Sequence, residues 1–172
     1  MMKWIVVAAA GLASAGGPAA AQEAVTAKAE FVNMTGERNG SATLTGMADG
    51  VLIELEVTGL PPGQWVGFHV HETGKCEAAA KHESAGGHFD PGGKEHGYKA
   101  PGGPHVGDMP NLHVEADGTV RAQVFNSAIR LGEGDNDVIG RALMIHGGPD
   151  DYQSQPSGKS GARHACAVIL KG

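Results

Sequence analysis

A chain of 172 residues holds one domain with a real core and leaves no room for two comfortable ones. With 28 glycines and only 5% aromatic residues, the composition suits a turn-rich β fold better than a helical bundle. A formal net charge of −6 argues against nucleic acid as a partner.

Residues 1–21 read as a cleaved secretory signal peptide. Met1-Met2-Lys3 is a short basic start, Trp4 to Leu12 is apolar, and Ala19-Ala20-Ala21 is a small-residue cleavage site before Gln22. The apolar run is too short to span a bilayer, and no other stretch is apolar enough to enter one, so no membrane partner is expected after cleavage. Removing the segment takes away Lys3 and no acid, which moves the net charge from −6 to −7 and leaves residues 22–172 as the mature domain. An anionic substrate would therefore need local positive charge to overcome the global repulsion. Export also implies an oxidising compartment, in which the pair Cys76 and Cys166 reads as a disulfide. Closing a loop of about 90 residues, it would contribute on the order of 4 kcal/mol if chain entropy dominates.

Eight strand-like segments follow. Val25–Asn33 alternates, with Val25, Ala27, Ala29 and Phe31 facing inward. Ser41–Met47 and Val51–Thr58 come next, joined by the hairpin turn Ala48-Asp49-Gly50, and Val51, Ile53, Leu55 and Val57 share one face. Gln64–His71 is a fourth strand. Asn111–Ala116 and Thr119–Phe125 form a second hairpin across Asp117-Gly118, and Val138–His146 and Arg163–Leu170 complete the set. This series predicts an all-β, eight-stranded Greek-key sandwich or flattened barrel. Two connections, 72–110 and 147–162, are too long for simple turns and read as functional loops.

Six of the nine histidines, within or beside these loops, stand at spacings that fit a two-metal site. Residues i and i+2 of a strand point to one face, so His69 and His71 project together and can bite one metal from a rigid wall. His146, at the end of a predicted strand, can close the same site. His88, His96, His105 and Asp108 lie in one loop, and three imidazoles with one carboxylate make a closed tetrahedral zinc site. Imidazole also suits copper, and an open copper site would keep one position for substrate.

The segments Gly67-Phe68-His69-Val70-His71, Ser84-Ala85-Gly86-Gly87-His88-Phe89-Asp90-Pro91, Pro104-His105-Val106-Gly107-Asp108 and Gly161-Ala162-Arg163-His164-Ala165-Cys166 occur in this order. In them the chain resembles the copper-zinc superoxide dismutases in their bacterial exported form, from about Ala24 to Lys171. The resemblance implies a periplasmic enzyme that converts superoxide to dioxygen and hydrogen peroxide by copper redox cycling. Copper would be held by His69, His71, His88 and His146. Zinc would be held by His88, His96, His105 and Asp108, with His88 as the bridge. Arg163 and His88 would be the catalytic residues, Arg163 orienting the superoxide anion. Asp150 would hydrogen-bond His69 and His96 from behind. Lys75, Lys81 and Lys159 are candidates for steering the anion. A homodimer is compatible with the resemblance, and the strands do not show which surface would pair.

Three histidines fall outside this scheme. His113 sits in a predicted strand as a structural or exposed residue, and His82 could bind a surface metal weakly. His164 stands where the family usually has an apolar residue, close to the rim of the site. Val66 also replaces a histidine that many relatives carry, and Ala167 stands where glycine is common. The competing reading is a non-enzymatic periplasmic copper- and zinc-binding module. Arg163 separates the two, because a metal buffer needs no anion-orienting cation. A cupin barrel would need a glutamate where Gly74 and Lys75 stand.

Overall fold

The computed structural model describes Met1 and residues 25–172. The expected signal peptide, Met1 apart, lies outside the described residues. Nine strands are formed among those described: β1 (Thr26–Asn33), β2 (Arg38–Met47), β3 (Gly50–Val57), β4 (Trp65–Val66), β5 (Phe68–His71), β6 (Leu112–His113), β7 (Val120–Asn126), β8 (Ala142–His146) and β9 (Arg163–Lys171). Among the described residues no helix is long and apolar enough to cross a membrane.

Seven strands make one antiparallel sheet in the order β5-β8-β9-β1-β2-β3-β7, and β4 pairs with β6 in a second. The chain runs from β7 at one edge to β8 beside the other, and β9 returns to lie against β1, the crossover expected of a Greek key. β4 runs directly into β5 and β6 leads on to β7, so the β4–β6 pair links the two edges of the large sheet. The result is a curled, all-β half-barrel. Its core follows the period-two pattern of the sequence: Ala27, Ala29 and Phe31 of β1, Val51, Ile53, Leu55 and Val57 of β3, and Ala165, Ala167 and Ile169 of β9 are buried together. Full burial of a side chain such as Phe31 or Ile53 is worth about 1.5–3 kcal/mol.

Four expectations need correction. Val25 precedes β1 and is exposed, so it is not part of the inward row. The predicted strand 64–71 breaks at Gly67 because its halves serve different partners, β4 pairing with β6 and β5 with β8. A Cβ at Gly67 would sit 2.8 Å from Ser160 Oγ, so the chain can turn there only without a side chain. The turn at Asp117-Gly118 forms, with Glu115 N–H bonded to the Thr119 carbonyl at 2.8 Å. The strands that leave it diverge, however, β6 to β4 and β7 to β3. Finally, β8 begins at Ala142 rather than Val138, because Arg141 N–H bonds back to the Val138 carbonyl in a turn.

The connection 72–110 carries two short 3-10 turns, Ala78–Ala80 and Glu83–Ala85. It is ordered by the sheet it crosses. Val70 N–H bonds to the Gly107 carbonyl and Phe89 N–H to the Val70 carbonyl, each at 2.8 Å, so loop backbone covers the open side of β5. The Cys76–Cys166 disulfide ties the same loop to β9. Cys166, Ala85, Ala142 and Met144 form a small second core beneath it, with Cys76 packed against them.

Candidate metal centre

β5 brings His69 and His71 to the centre of the molecule with the whole strand buried, and its pairing sets His69 opposite Met144 and His71 opposite Ala142. His146 closes β8 at a register shift, where it faces Arg163 of β9. Backbone bridges join His71 to His88 and His69 to Asp108, which lays the loop ligands against the strand ligands.

Two four-residue groups of metal-binding atoms result, His69, His71, His88 and His146 in one, and His88, His96, His105 and Asp108 in the other, and a smaller cluster of His69, His96 and Asp150 joins them, the atoms of each lying within 4.8 Å of one another. Their hydrogen bonds decide which ring nitrogen is free. His71 Nδ1 donates to the Gly86 carbonyl at 2.9 Å, which leaves the lone pair on Nε2. His71 Nε2 lies 3.4 Å from His146 Nε2, while His146 Nδ1 faces the Gly161 carbonyl at 3.4 Å. His69 Nε2 donates to Asp150 Oδ2 at 2.9 Å and His96 Nε2 to Asp150 Oδ1 at 3.0 Å, which frees Nδ1 on both rings. One carboxylate thus orients one ring of each group.

In the second group a single oxygen is the focus. Asp108 Oδ1 faces His88 Nδ1 at 2.9 Å, His96 Nδ1 at 3.0 Å and His105 Nδ1 at 3.5 Å. Its partner Oδ2 is held by the backbone N–H groups of Gly97 and His105. Tetrahedral zinc with bonds near 2.0 Å sets its ligands about 3.3 Å apart, close to these separations. Within these two groups, three nitrogens are buried with no hydrogen-bond partner: His69 Nδ1, His88 Nε2 and His105 Nδ1. Buried polar atoms are rarely left so. Each belongs to one of the two groups, and a cation satisfies all three.

The protonation states of four of these rings agree, and His96 is the exception, holding a proton that a bound cation must displace. Burial, reinforced by the neighbouring rings, pushes His71 and His146 well below the ordinary histidine value. Burial also lowers His69 and takes His88 to about 4, although Asp150 and Asp108 respectively pull the other way. These rings are neutral at pH 7, the form that ligates. Burial would lower His96 too, but Asp108 and Asp150 raise it to about 9. Burial would raise both carboxylates, yet the histidine hydrogen bonds hold Asp108 and Asp150 well below the usual range.

A family described as copper/zinc superoxide dismutase (SODC) matches residues 38–169. A copper–zinc superoxide dismutase from Aquifex aeolicus is 48% identical over 87% of this chain and 89% of its own length. A superoxide dismutase-like protein from Bacillus subtilis has a crystal structure that covers 83% of this chain and 97% of its own, at 38% identity and TM-score 0.80. The Cu/Zn superoxide dismutase from Brucella abortus covers 84% and 99% respectively, at 33% identity and TM-score 0.70. The chain belongs to the copper/zinc superoxide dismutase family. Copper and zinc are the metals of this dismutase, and its two histidine groups fit them.

Arg163, the first residue of β9, is mostly buried. Its Nη1 donates to the His82 carbonyl at 2.9 Å and its Nη2 lies 3.2 Å from Glu83. Lys75, Lys81 and Lys159 are exposed. His113 is exposed on β6, edge-on to Trp65 at 5.2 Å between ring centroids. His164 is half-buried against Gly147, where an added Cβ would meet its Nε2 at 2.7 Å. His82 is not a surface metal ligand: its ring is fully buried.

Sequence reasoning missed the residues that hold the ligand-holders. Asn111 clamps the Asp150 backbone in both directions, each bond 2.9 Å. Tyr98 donates to the Asp108 carbonyl at 2.9 Å, and the Tyr152 hydroxyl accepts from Asn111 N–H at 2.8 Å. That the two tyrosines of the chain both fall in the long loops was the available signal.

Proposed function

We propose that this dismutase uses His69, His71, His88 and His146 to hold copper, His88, His96, His105 and Asp108 to hold zinc, and Arg163 to orient superoxide. The observation that carries the reading is His88. Its Nδ1 sits in the zinc group, 2.9 Å from Asp108, while its buried Nε2 has no protein partner and belongs with the copper group. One imidazole therefore serves both metals.

Bound copper supplies one-electron chemistry in both directions, so two superoxide ions and two protons become dioxygen and hydrogen peroxide, while zinc does no redox chemistry. The protein controls charge and protons around that exchange. Arg163 offers the planar fork of N–H donors of its guanidinium to a small anion. His88 Nε2, buried and without a protein partner, is the atom at which the chain would hold a proton and pass it to the departing peroxide. Asp150 holds His69 and His96 in fixed tautomers, and His96, His105 and Asp108 would hold zinc and so tie down the loop that carries His88.

The signal-peptide pattern of residues 1–21 and the disulfide support export to the periplasm, with residues 22–172 as the working domain. The test uses the mature chain, with metal content and dismutation measured beside Arg163→Ala and His146→Ala. About one copper and one zinc per chain is expected. Both substitutions should cripple turnover, with Arg163→Ala keeping its metals. Full metal content without dismutation in the unmodified chain would overturn the catalytic reading in favour of a metal-binding module.

A further inference from the structure

His82 is the one histidine inside the disulfide-tied loop that belongs to neither metal group, and its placement is unusual in three ways. Its ring is fully buried beside the Asn33 backbone, and neither ring nitrogen makes a hydrogen bond of good geometry. Its backbone is left-handed, at φ 60°, and follows Lys81 at φ 50°. It is also the junction between the two 3-10 turns of the loop. Burying an unpaired polar group costs about 1–3 kcal/mol, and a non-glycine residue in the left-handed region adds to that. Such a residue is not placed for stability alone, and buried groups of this kind call for a specific explanation.

The carbonyl of His82 supplies one. It accepts from Arg163 Nη1 at 2.9 Å, and it also accepts from Ala85 N–H at 3.1 Å, which opens the second 3-10 turn. The next residue, Glu83, meets Nη2 of the same guanidinium at 3.2 Å. The loop itself rests on the β1–β2 turn, where a Cβ on Gly36 would touch Ala78 at 3.6 Å. A guanidinium has five N–H donors. Committing one on Nη1 and one on Nη2 to this loop fixes the plane of the fork and leaves the others for an anion.

We infer that His82 is a positioning residue for Arg163: its buried ring is the plug that locks the left-handed backbone and so aims the carbonyl that holds the guanidinium. This rests on the reading of Arg163 as the group that orients superoxide. The ring acts by filling space, so a residue that keeps the backbone conformation but removes the ring releases the arginine without touching either metal group.

The test compares His82→Gly and His82→Asn, both of which tolerate the left-handed region, with Arg163→Ala in the copper- and zinc-loaded chain. Three readouts are taken: metal content, the affinity of azide as a small probe anion, and the rate at which phenylglyoxal modifies Arg163, followed by peptide mass spectrometry in loaded and metal-free protein. Metal content should stay unchanged in the His82 variants. Modification of Arg163 should quicken and azide affinity fall, each by about tenfold, the scale of one charge-assisted hydrogen bond. If Arg163→Ala weakens azide binding while both folded His82 variants match the unmodified chain in Arg163 reactivity and azide affinity, His82 has no positioning role and Arg163 keeps its own. If Arg163→Ala changes neither azide affinity nor dismutation, the reading of Arg163 falls and this inference falls with it. If His82→Gly does not fold, His82→Asn alone decides.

Discussion

His146 and Arg163 face each other across the β8–β9 ladder, at the point where its register shifts. The register of the sheet therefore fixes how far the Arg163 cation stands from His146, and the Cys76–Cys166 disulfide fixes the loop that holds the cation from the other side. β9 carries both the cysteine and the arginine, three positions apart.

Replacing both cysteines by serine should loosen that arrangement as well as the fold. Opening a loop of this length costs on the order of 4 kcal/mol, equivalent to a fall in melting temperature of roughly 10 °C for a domain of this size. The same variant should lose dismutation faster than it loses zinc, since Arg163 is held by His82 and Glu83 close to Cys76, whereas the Asp108 cluster lies farther along the loop and is also anchored through Gly97 and Asp150. Thermal melting with metal analysis checks this. Loss of zinc and activity in parallel would place the disulfide's effect at the zinc group instead.

Asp150→Asn tests the shared carboxylate. Both oxygens of Asp150 accept from ligand histidines, Oδ2 from His69 and Oδ1 from His96. An amide offers one acceptor and one donor, so one of the two buried rings must face an N–H and turn or change tautomer. Affinity should fall by about 10–100-fold for at least one metal, the usual effect of losing a partner behind a ligand. Equilibrium titration of each metal into the metal-free variant measures it, and unchanged affinity for both would refute the orienting role.

The division between what the sequence made legible and what it hid has a physical basis. His69-x-His71 could be read because a strand repeats every two residues, and the buried rows of β1 and β3 followed from the same period. His88, His96, His105 and Asp108 were legible as a set because donor chemistry limits what three imidazoles and a carboxylate can hold. The break at Gly67 was hidden, since it depends on Ser160, which packs against it from the far end of the chain. His82 was misread as a surface residue because its burial comes from loop packing, which has no period in sequence. Asn111 was invisible for the same reason: its partner is the backbone of Asp150, 39 positions away.

Gly158 is the tightest point of the second long loop. A Cβ there would lie 1.7 Å from Asp150 Oδ1 and 2.7 Å from His96 Nε2, and the residue sits at φ +66°. Gly158→Ala must therefore push Asp150 away from His96 or unwind the loop. The expected result resembles Asp150→Asn in metal affinity, with an added loss of stability of about 1–2 kcal/mol from the left-handed backbone. Denaturant unfolding of the metal-free variant isolates the backbone cost, and metal titration isolates the displacement of Asp150. A variant with normal affinity for both metals would show that the loop can relax around the methyl group.

The histidines also set how the metal-free protein responds to pH. Burial takes His88 from the ordinary 6.5 to about 4, and burial lowers His69, His71 and His146 as well. A histidine lowered on folding binds its proton more readily in the unfolded chain. Its contribution is present above pH 6.5 and is lost as pH falls from there toward 4, on the order of 3 kcal/mol for His88 alone. His96 runs the other way. Raised to about 9, it contributes fully below 6.5 and its contribution is lost as pH rises through 9. The stability of the metal-free chain should thus peak near pH 6.5 and fall on both sides. With copper and zinc bound, these nitrogens take no proton in the folded chain, so the fall above pH 6.5 set by His96 should disappear while the fall below pH 6.5 should persist and steepen. Urea midpoints from pH 4 to 9, with and without both metals, measure the two curves. A metal-free stability that holds steady from pH 6.5 down to 4 would mean that the four lowered histidines are not neutral in the folded chain.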